Sequence, residues 1–270
     1  MTTRARRGSR SAALIASGVV ALALILSALL VVRFAGSSSA STSEPDAALP
    51  SPVSPAFGIP EPRPLGKPAH VARWSTVTRA VPVRDAPRAD AGPIAFLETQ
   101  TPERTTNVVL VEDSAEDRAG RLWIMVRVPA LPENLTGWVP RAALGASEFV
   151  RTRLVVDLQG LDATLLSDGR PVFRAQIGVG KPAWPTPAGE FYVRSKIRSL
   201  SSFYGPLAFG TSARSEVLTD WPDGGFVGIH GTDAPQLLPG RVSHGCIRMR
   251  NADILRLGRL MPVGTPVSIS

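Results

Sequence analysis

Ser243-His244-Gly245-Cys246-Ile247-Arg248 contains the only cysteine of this 270-residue chain and one of its three histidines. A second histidine, His230, ends the apolar run Phe226–Ile229 a short distance upstream. A thiol becomes a strong nucleophile as thiolate, and a neighbouring imidazole is the usual group that removes its proton at neutral pH. The pattern therefore indicates that the cysteine is a nucleophile. The simpler interpretation is a buried structural cysteine, because free cysteines are among the most buried residues.

The residues of this stretch suggest separate roles. Cys246 is the candidate nucleophile, and Gly245 before it permits a tight turn or a close approach of substrate. Both His230 and His244 are candidate bases, and their spacing does not choose between them. Backbone N–H groups around Gly245 and Cys246 are candidate donors to an oxyanion. Arg248 is either a ligand for a substrate carboxylate or a structural ion-pair partner.

A metal site is the alternative for the same residues, because one cysteine and two histidines could supply three zinc ligands. However, His244 and Cys246 are separated by one residue, and the chain contains neither a CxxC nor an HExxH pattern. We therefore expect no metal.

The chain is strongly basic, with a formal net charge of +8 and a pI near 10.8. Its lysines and arginines form no long run, and the sequence has no nucleic-acid-binding signature. An anionic surface or polymer outside the cell is the better match for this charge. The sequence predicts no nucleic-acid partner and indicates no oligomeric state.

The amino-terminal region predicts a membrane anchor. Residues 1–10 carry four arginines, and residues 11–32 are apolar and uncharged. A helix over the second stretch would reach about 33 Å, enough for a bilayer core of about 30 Å. The arginines predict a cytoplasmic amino terminus and a single-pass protein whose later domains face outward. A cleaved signal peptide remains the alternative. A lone cysteine in an exported protein cannot form an intramolecular disulfide and is either an intermolecular link or a reactive thiol.

The anchor is followed by a linker and a small β domain. Residues 33–69 are rich in serine and proline, which predicts an extended linker. Residues 70–147 contain short β-branched runs between turns and end in Gly137-Trp138-Val139. This pattern resembles a bacterial SH3-like domain, which implies a small β-barrel. A β module that only packs and spaces remains the alternative.

Residues 150–270 predict a second β-rich domain. The Asp168-Gly169 pair between apolar runs predicts a hairpin. Asn251 to Leu260 predicts one short helix near the site, with Asn251 as its cap and Asp253 in its first turn. The long segment 195–215 could cover a substrate cleft, and its Tyr204 is a candidate substrate-binding residue.

His230-Gly231-Thr232 together with Ser243–Arg248 resembles the signature of the L,D-transpeptidase (YkuD-type) catalytic domain. Pro185–Phe191, the Asp168-Gly169 hairpin and Val263–Val267 support the resemblance. It implies a mixed β-sheet fold and assigns the residues by position. The catalytic positions are Cys246 as nucleophile, His230 as base, Gly231 as its orienting carbonyl, and His244 as the second histidine of the motif. The substrate-binding positions of the motif are Ser243, Gly245 and Arg248.

The resemblance also implies a reaction on peptidoglycan stem peptides without a cofactor. The cysteine captures the third residue of a tetrapeptide stem as a thioester, D-alanine leaves, and a second stem resolves the thioester as a 3→3 cross-link. Carbapenems acylate the same cysteine in many members. An L,D-carboxypeptidase with the same site and a non-catalytic cell-wall-binding protein are the alternatives.

Overall fold

The computed structural model describes residues 70–198, 201–218 and 225–270. All of them belong to one compact unit, Arg63–Ser270. Within these ranges, the strands form two sheets that divide near residue 151. None of the helices in these ranges is long and apolar enough to cross a bilayer. The predicted cytoplasmic tail (1–10), the membrane helix (11–32) and the linker (33–69) lie outside the described residues.

The first sheet is antiparallel throughout. Its strand order in the described part of the chain is β3-β2-β6-β5-β4-β1-β7. A separate apolar core, which includes Val83, Val109, Val126 and Val139 at 0% exposure, holds it together. Its strands are β1 (Ala72–Val77), β2 (Val81–Arg84), β3 (Pro93–Leu97), β4 (Val108–Glu116), β5 (Leu122–Arg127), β6 (Thr136–Pro140) and β7 (Leu144–Val150).

The second sheet is mixed, and its order among the described residues is β10-β9-β8-β17-β12-β13-β14-β16-β11-β15. Three of its pairings are parallel, namely β8 with β17, β14 with β16, and β11 with β15. Its strands are β8 (Thr152–Asp157), β9 (Asp162–Ser167), β10 (Arg170–Gln176), β11 (Gly178–Gly180), β12 (Gly189–Arg198), β13 (Leu207–Arg214), β14 (Phe226–His230), β15 (Gly240–Ser243), β16 (Ile247–Arg248) and β17 (Pro266–Ile269).

Local sequence explains the hairpin and the helix of this sheet. Asp168 and Gly169 both have positive φ, 49° and 77°, which suits the two-residue turn between β9 and β10. Helix α1 (Asn251–Leu260) buries Ile254 and Leu257 in the sheet's core and carries Asp253 in its first turn. The predicted cap is wrong, because the N-cap residue is Arg250 and no side chain caps the helix.

The two sheets contact each other through apolar and polar side chains. Tyr192 of β12 is fully buried against Val108 and Leu110 of β4. Its hydroxyl donates to the Val108 carbonyl oxygen at 3.1 Å, so the buried phenol is satisfied. Trp74 of β1 lies so close to Gly264 that a Cβ at this glycine would approach the indole ring within 2.2 Å.

The expectation of a mainly β protein with a mixed sheet and one short helix is confirmed for the described residues. The first sheet supplies the predicted strands, and its last strand continues to Val150. Its likeness to an SH3 barrel stays a prediction.

Candidate active site

Parallel pairing of β14 with β16 brings the two sequence motifs together. Ile229 lies opposite Ile247, and His230 lies opposite Arg248. Both isoleucines have 0% exposure and point into the core, so the alternation of strand side chains places His230 and Arg248 on the other face. One pair earlier along these strands, the Gly228 N–H donates to the Sγ of Cys246 at 3.4 Å.

The glycine at position 228 opens the space that the thiol and the imidazole share. A Cβ built on Gly228 would lie 3.8 Å from Cδ2 of His230 and 3.9 Å from Sγ of Cys246. Cδ2 is bonded to Nε2, so this edge of the ring and the sulfur border the same small volume. A side chain at position 228 would occupy it.

His230 is held in one tautomer by its neighbour. Its Nδ1 lies 2.6 Å from the carbonyl oxygen of Gly231, and because a carbonyl only accepts, Nδ1 carries the proton. Nε2 therefore keeps a free lone pair. The side chain is 2% exposed, and burial, with a smaller contribution from the Arg248 charge, lowers its pKa to about 4. The imidazole is neutral at pH 7.

Cys246 is half-buried and also neutral at pH 7. Burial raises the pKa of the thiol, while the Gly228 N–H and the Arg248 charge act in the opposite direction. Thiol and imidazole thus form a neutral pair rather than a preformed thiolate and imidazolium. Such a pair can act when His230 removes the thiol proton during attack on a carbonyl.

The turn that carries the thiol is organised by Ser243. Its hydroxyl donates to the Cys246 carbonyl oxygen at 2.6 Å and accepts from the Gly245 N–H at 3.1 Å. Gly245 has a φ of 112°, which side-chain-bearing residues rarely adopt. Ser243 has 0% exposure, so the structure places this predicted substrate-binding residue beneath the turn rather than on its surface.

Thr186 connects this turn to β11. Its hydroxyl donates to the Gly245 carbonyl oxygen at 2.8 Å and accepts from the Gly180 N–H at 2.9 Å. Gly180 has no room for a side chain, since a Cβ there would lie 2.2 Å from the carbonyl oxygen of Trp184. Through Thr186, the segment Pro185-Thr186-Pro187 therefore holds the turn that carries Cys246.

Two aromatic residues of the 3-10 turn Ser202–Tyr204 cover one side of the site. The Tyr204 ring meets the His230 ring edge to face, with centroids 4.8 Å apart. The Phe203 ring has the Arg248 guanidinium carbon 4.6 Å from its centroid. Arg248 is only 8% exposed, and its Nε has no hydrogen-bond partner in the described ranges.

His244 packs against Trp184, with ring centroids 4.4 Å apart and planes at 42°. Residues 244 and 245 form a bend and not the extended segment that would project His244 and Cys246 to one face. Trp184 carries no local sequence signal of this contact, because its partner lies 60 residues further along the chain.

Asn251 was also missed as a site residue. Its Oδ1 accepts from the Thr232 N–H at 3.0 Å, and a Cβ on Gly231 or Gly205 would approach the same oxygen within 2.4 Å. The helix start thus fixes the loop whose Gly231 carbonyl orients His230. The sequence signal for this role was the polar residue at the first position of the helix that follows Cys246.

No group of three or more His, Cys, Asp or Glu side chains in the described part of the chain is arranged to hold a metal ion. The chemistry that the arrangement offers is that of a thiol, a neutral base and a buried cation.

Comparison with known proteins identifies the family. Residues 151–269 match the model of the L,D-transpeptidase catalytic domain, YkuD. The protein named L,D-transpeptidase YkuD in Bacillus subtilis strain 168 is 32% identical over 143 residues, which span 53% of this chain and 73% of that protein. Its namesake in Bacillus licheniformis is 35% identical over 118 residues, 44% of this chain and 65% of that protein.

Among solved structures, the catalytic domain of an E. faecium L,D-transpeptidase is 30% identical, with a TM-score of 0.34 over 44% of this chain and 96% of that domain. From the family model and the B. subtilis relative, the chain belongs to the YkuD family of L,D-transpeptidases.

Proposed function

We propose that this protein is a peptidoglycan L,D-transpeptidase that forms 3→3 cross-links through a thioester on Cys246. The observation that supports it most is the β14–β16 pairing, which places the sole cysteine of the chain beside a buried, oriented imidazole. The volume bordered by Cys246 and His230 is where an acyl carbonyl would enter.

In the acylation step, the proton of the thiol moves to Nε2 of His230 as Sγ attacks the carbonyl of the third stem residue. A C–S bond forms and the carbonyl becomes an oxyanion. When the C–N bond to the terminal D-alanine breaks, His230 returns the proton to the leaving amine. The Gly231 carbonyl stabilises the transient imidazolium through Nδ1–H. In the second half, the amine of another stem replaces the thiol by the reverse sequence.

The oxyanion needs a donor near Sγ. Gly245 was one of the two residues whose N–H groups the sequence suggested, but its N–H already donates to Ser243. The Cys246 N–H is therefore the candidate donor. Gly245 contributes its conformation, and Ser243 holds that conformation.

Arg248 supplies the recognition of a carboxylate. Its guanidinium lies on the Phe203 ring, is largely removed from water, and has no acidic partner among the described residues. A buried cation in this state gains from an incoming carboxylate, and stem peptides carry several. Tyr204 stands beside the imidazole, where it can contact the bound stem.

The test combines intact mass and product analysis. Incubation with a disaccharide-tetrapeptide or a carbapenem should add one acyl group to the wild-type protein and none to Cys246→Ala, while His230→Asn should acylate about 10²–10⁴-fold more slowly. Cross-linked dimer as product supports the transpeptidase. Free tripeptide without dimer would instead establish the L,D-carboxypeptidase, and retained wall binding without any adduct would establish a non-catalytic binder.

We also propose that residues 11–32 anchor the protein in the cytoplasmic membrane, so that the catalytic domain faces the cell wall. The uncharged apolar stretch and the preceding arginines support this orientation. Resistance to carbonate extraction and an intact amino terminus by mass spectrometry are the expected results. A mature chain that begins after residue 33 would establish the cleaved signal peptide.

A further inference from the structure

Phe226, the first residue of β14, lies against two arginine side chains. The guanidinium carbon of Arg194 is 3.6 Å from its ring centroid, and that of Arg214 is 4.9 Å away. The same strand carries the Gly228 N–H that contacts Sγ, two residues further on, and ends at His230. The start of β14 is therefore held by contacts outside the active site.

The two arginines belong to β12 and β13 of the second sheet, and acidic residues from loops of the first sheet contact both of them. Glu103, in the loop between β3 and β4, forms an ion pair with Arg194 of β12, with Nη2 at 3.2 and 3.4 Å from its two carboxylate oxygens. The side chains of this pair are only 13% and 2% exposed. Glu133, between β5 and β6, accepts from the Arg214 N–H at 2.6 Å. Two acidic residues from loops of the first sheet thus contact Arg194 through its guanidinium and Arg214 through its backbone.

Further hydrogen bonds hold both partners of the Glu103–Arg194 ion pair in place. The Glu103 loop is tied by backbone hydrogen bonds between residues 101 and 105 and between 101 and 104. Arg194 is further fixed by a hydrogen bond from Nε to the Thr211 carbonyl oxygen at 3.0 Å. Without the Glu103 carboxylate, the buried Arg194 guanidinium loses one of the contacts that fix its position, and its contact with Phe226 shifts with it.

We propose that Glu103 is a positioning residue for the nucleophile: through Arg194 and Phe226 it sets the start of β14 and so the place of the Gly228 N–H beside Cys246. The first sheet then contributes to acylation and does not serve only as a spacer. This inference rests on Cys246 being the nucleophile of the proposed function, but not on whether an amine or water resolves the thioester.

The experiment compares Glu103→Gln with Glu112→Gln in the full-length protein in mild detergent. Glu112 pairs with Arg127 at 2.8 Å near the contact of the two sheets, on a strand that pairs with β1 and β5 and not with β14, so it is a matched loss of one carboxylate. We expect the second-order rate of Cys246 acylation by a carbapenem to fall about tenfold in Glu103→Gln and to stay within about twofold in Glu112→Gln.

Iodoacetamide alkylation across pH separates a positional effect from lost stability. Cys246 is the only cysteine, so all thiol alkylation reports on it. The groups that face it, His230 and Arg248, are intact in both variants. If the Gly228 N–H withdraws, the apparent pKa of the thiol rises in Glu103→Gln and is unchanged in Glu112→Gln. This readout works even if the protein rejects carbapenems and the proposed function fails.

Phe226→Leu removes the aromatic ring that links Arg194 to β14 without removing a charge. It therefore tests the proposed role of Glu103 even if Glu103→Gln does not fold. We expect it to slow acylation like Glu103→Gln, and the double variant to be no slower than the slower single one, because both interrupt one chain of contacts. Wild-type acylation rates in either folded single variant, or effects that multiply in the double variant, would overturn the inference.

Discussion

The neutral state of His230 has a measurable effect on stability. Its pKa of about 4 in the folded protein lies below the ordinary value of 6.5 because the ring is buried. Between these values the unfolded chain binds the proton more readily, so stability is complete above about pH 6.5 and falls as the pH is lowered towards 4. The full difference of 2.5 pKa values corresponds to about 3 kcal/mol, of which about 2 kcal/mol is already lost at pH 5.

Replacing the ring isolates this effect from the carboxylates. His230→Asn keeps an N–H donor near the Gly231 carbonyl but does not titrate. Glu133, whose pKa is raised by burial, contributes to the pH dependence with the opposite sign, yet it is present in both proteins and cancels in the difference. Urea unfolding at pH 7.5 and pH 5.0, followed by tryptophan fluorescence, should show the wild type losing about 2 kcal/mol more than the variant.

A direct titration checks the same quantity. The chain has three histidines, so selective labelling of the imidazole carbons yields three signals, and His230→Asn identifies one of them. That signal should titrate near pH 4. A midpoint of 6 or above, or parallel stability curves for the two proteins, would refute the buried neutral base. The same neutral base predicts that acylation by a carbapenem declines on the acid side only below about pH 5.

Three substitutions test the geometry around the thiol. Gly228→Ala should fold, because its Cβ meets no atom closer than 3.5 Å, but intact mass should show acylation slowed about tenfold or more as the methyl fills the space beside the sulfur. Thr186→Val leaves the Gly245 carbonyl without its buried donor and should cost about 1–3 kcal/mol in urea unfolding. Trp184→Leu should leave stability nearly unchanged but shift the imidazole signals of His244, because the rings stack at 4.4 Å. Unchanged acylation in Gly228→Ala, together with an unmoved His244 signal in Trp184→Leu, would contradict this geometry.

Local sequence patterns were sufficient to predict elements whose conformation depends on neighbouring residues. The Asp168-Gly169 turn, the strand that ends at His230, and the helix from Asn251 to Leu260 depend on neighbouring residues, and the structure contains each of them. The residues alone left both His230 and His244 as candidate bases, and only the family resemblance chose His230, because nothing local specifies that β14 and β16 pair in parallel.

Contacts between distant residues were outside the reach of sequence patterns. The Thr186 hydroxyl meets a carbonyl 59 residues away, and Glu103 meets Arg194 91 residues away. A threonine between prolines and a glutamate in a loop have many possible partners, and burial chooses among them only after the sheets pack. Asn251 shows the same effect, since its side chain serves the His230 loop and not the helix that its position suggested.

A thiol–imidazole pair that is neutral at rest reconciles the need for a reactive cysteine with protection of that cysteine from oxidation. Oxidation and nucleophilic attack both require the thiolate, so a permanently ionised cysteine would be vulnerable in the oxidising compartment proposed for this domain. Burial that raises the thiol pKa and lowers the imidazole pKa keeps the resting pair uncharged. In the proposed mechanism, the Gly228 N–H and the Arg248 charge stabilise the thiolate that forms as the proton moves to His230 during attack. In the proposed mechanism, the small volume beside Gly228 matters as well as the two reactive side chains, because an acyl group that enters it lies next to both.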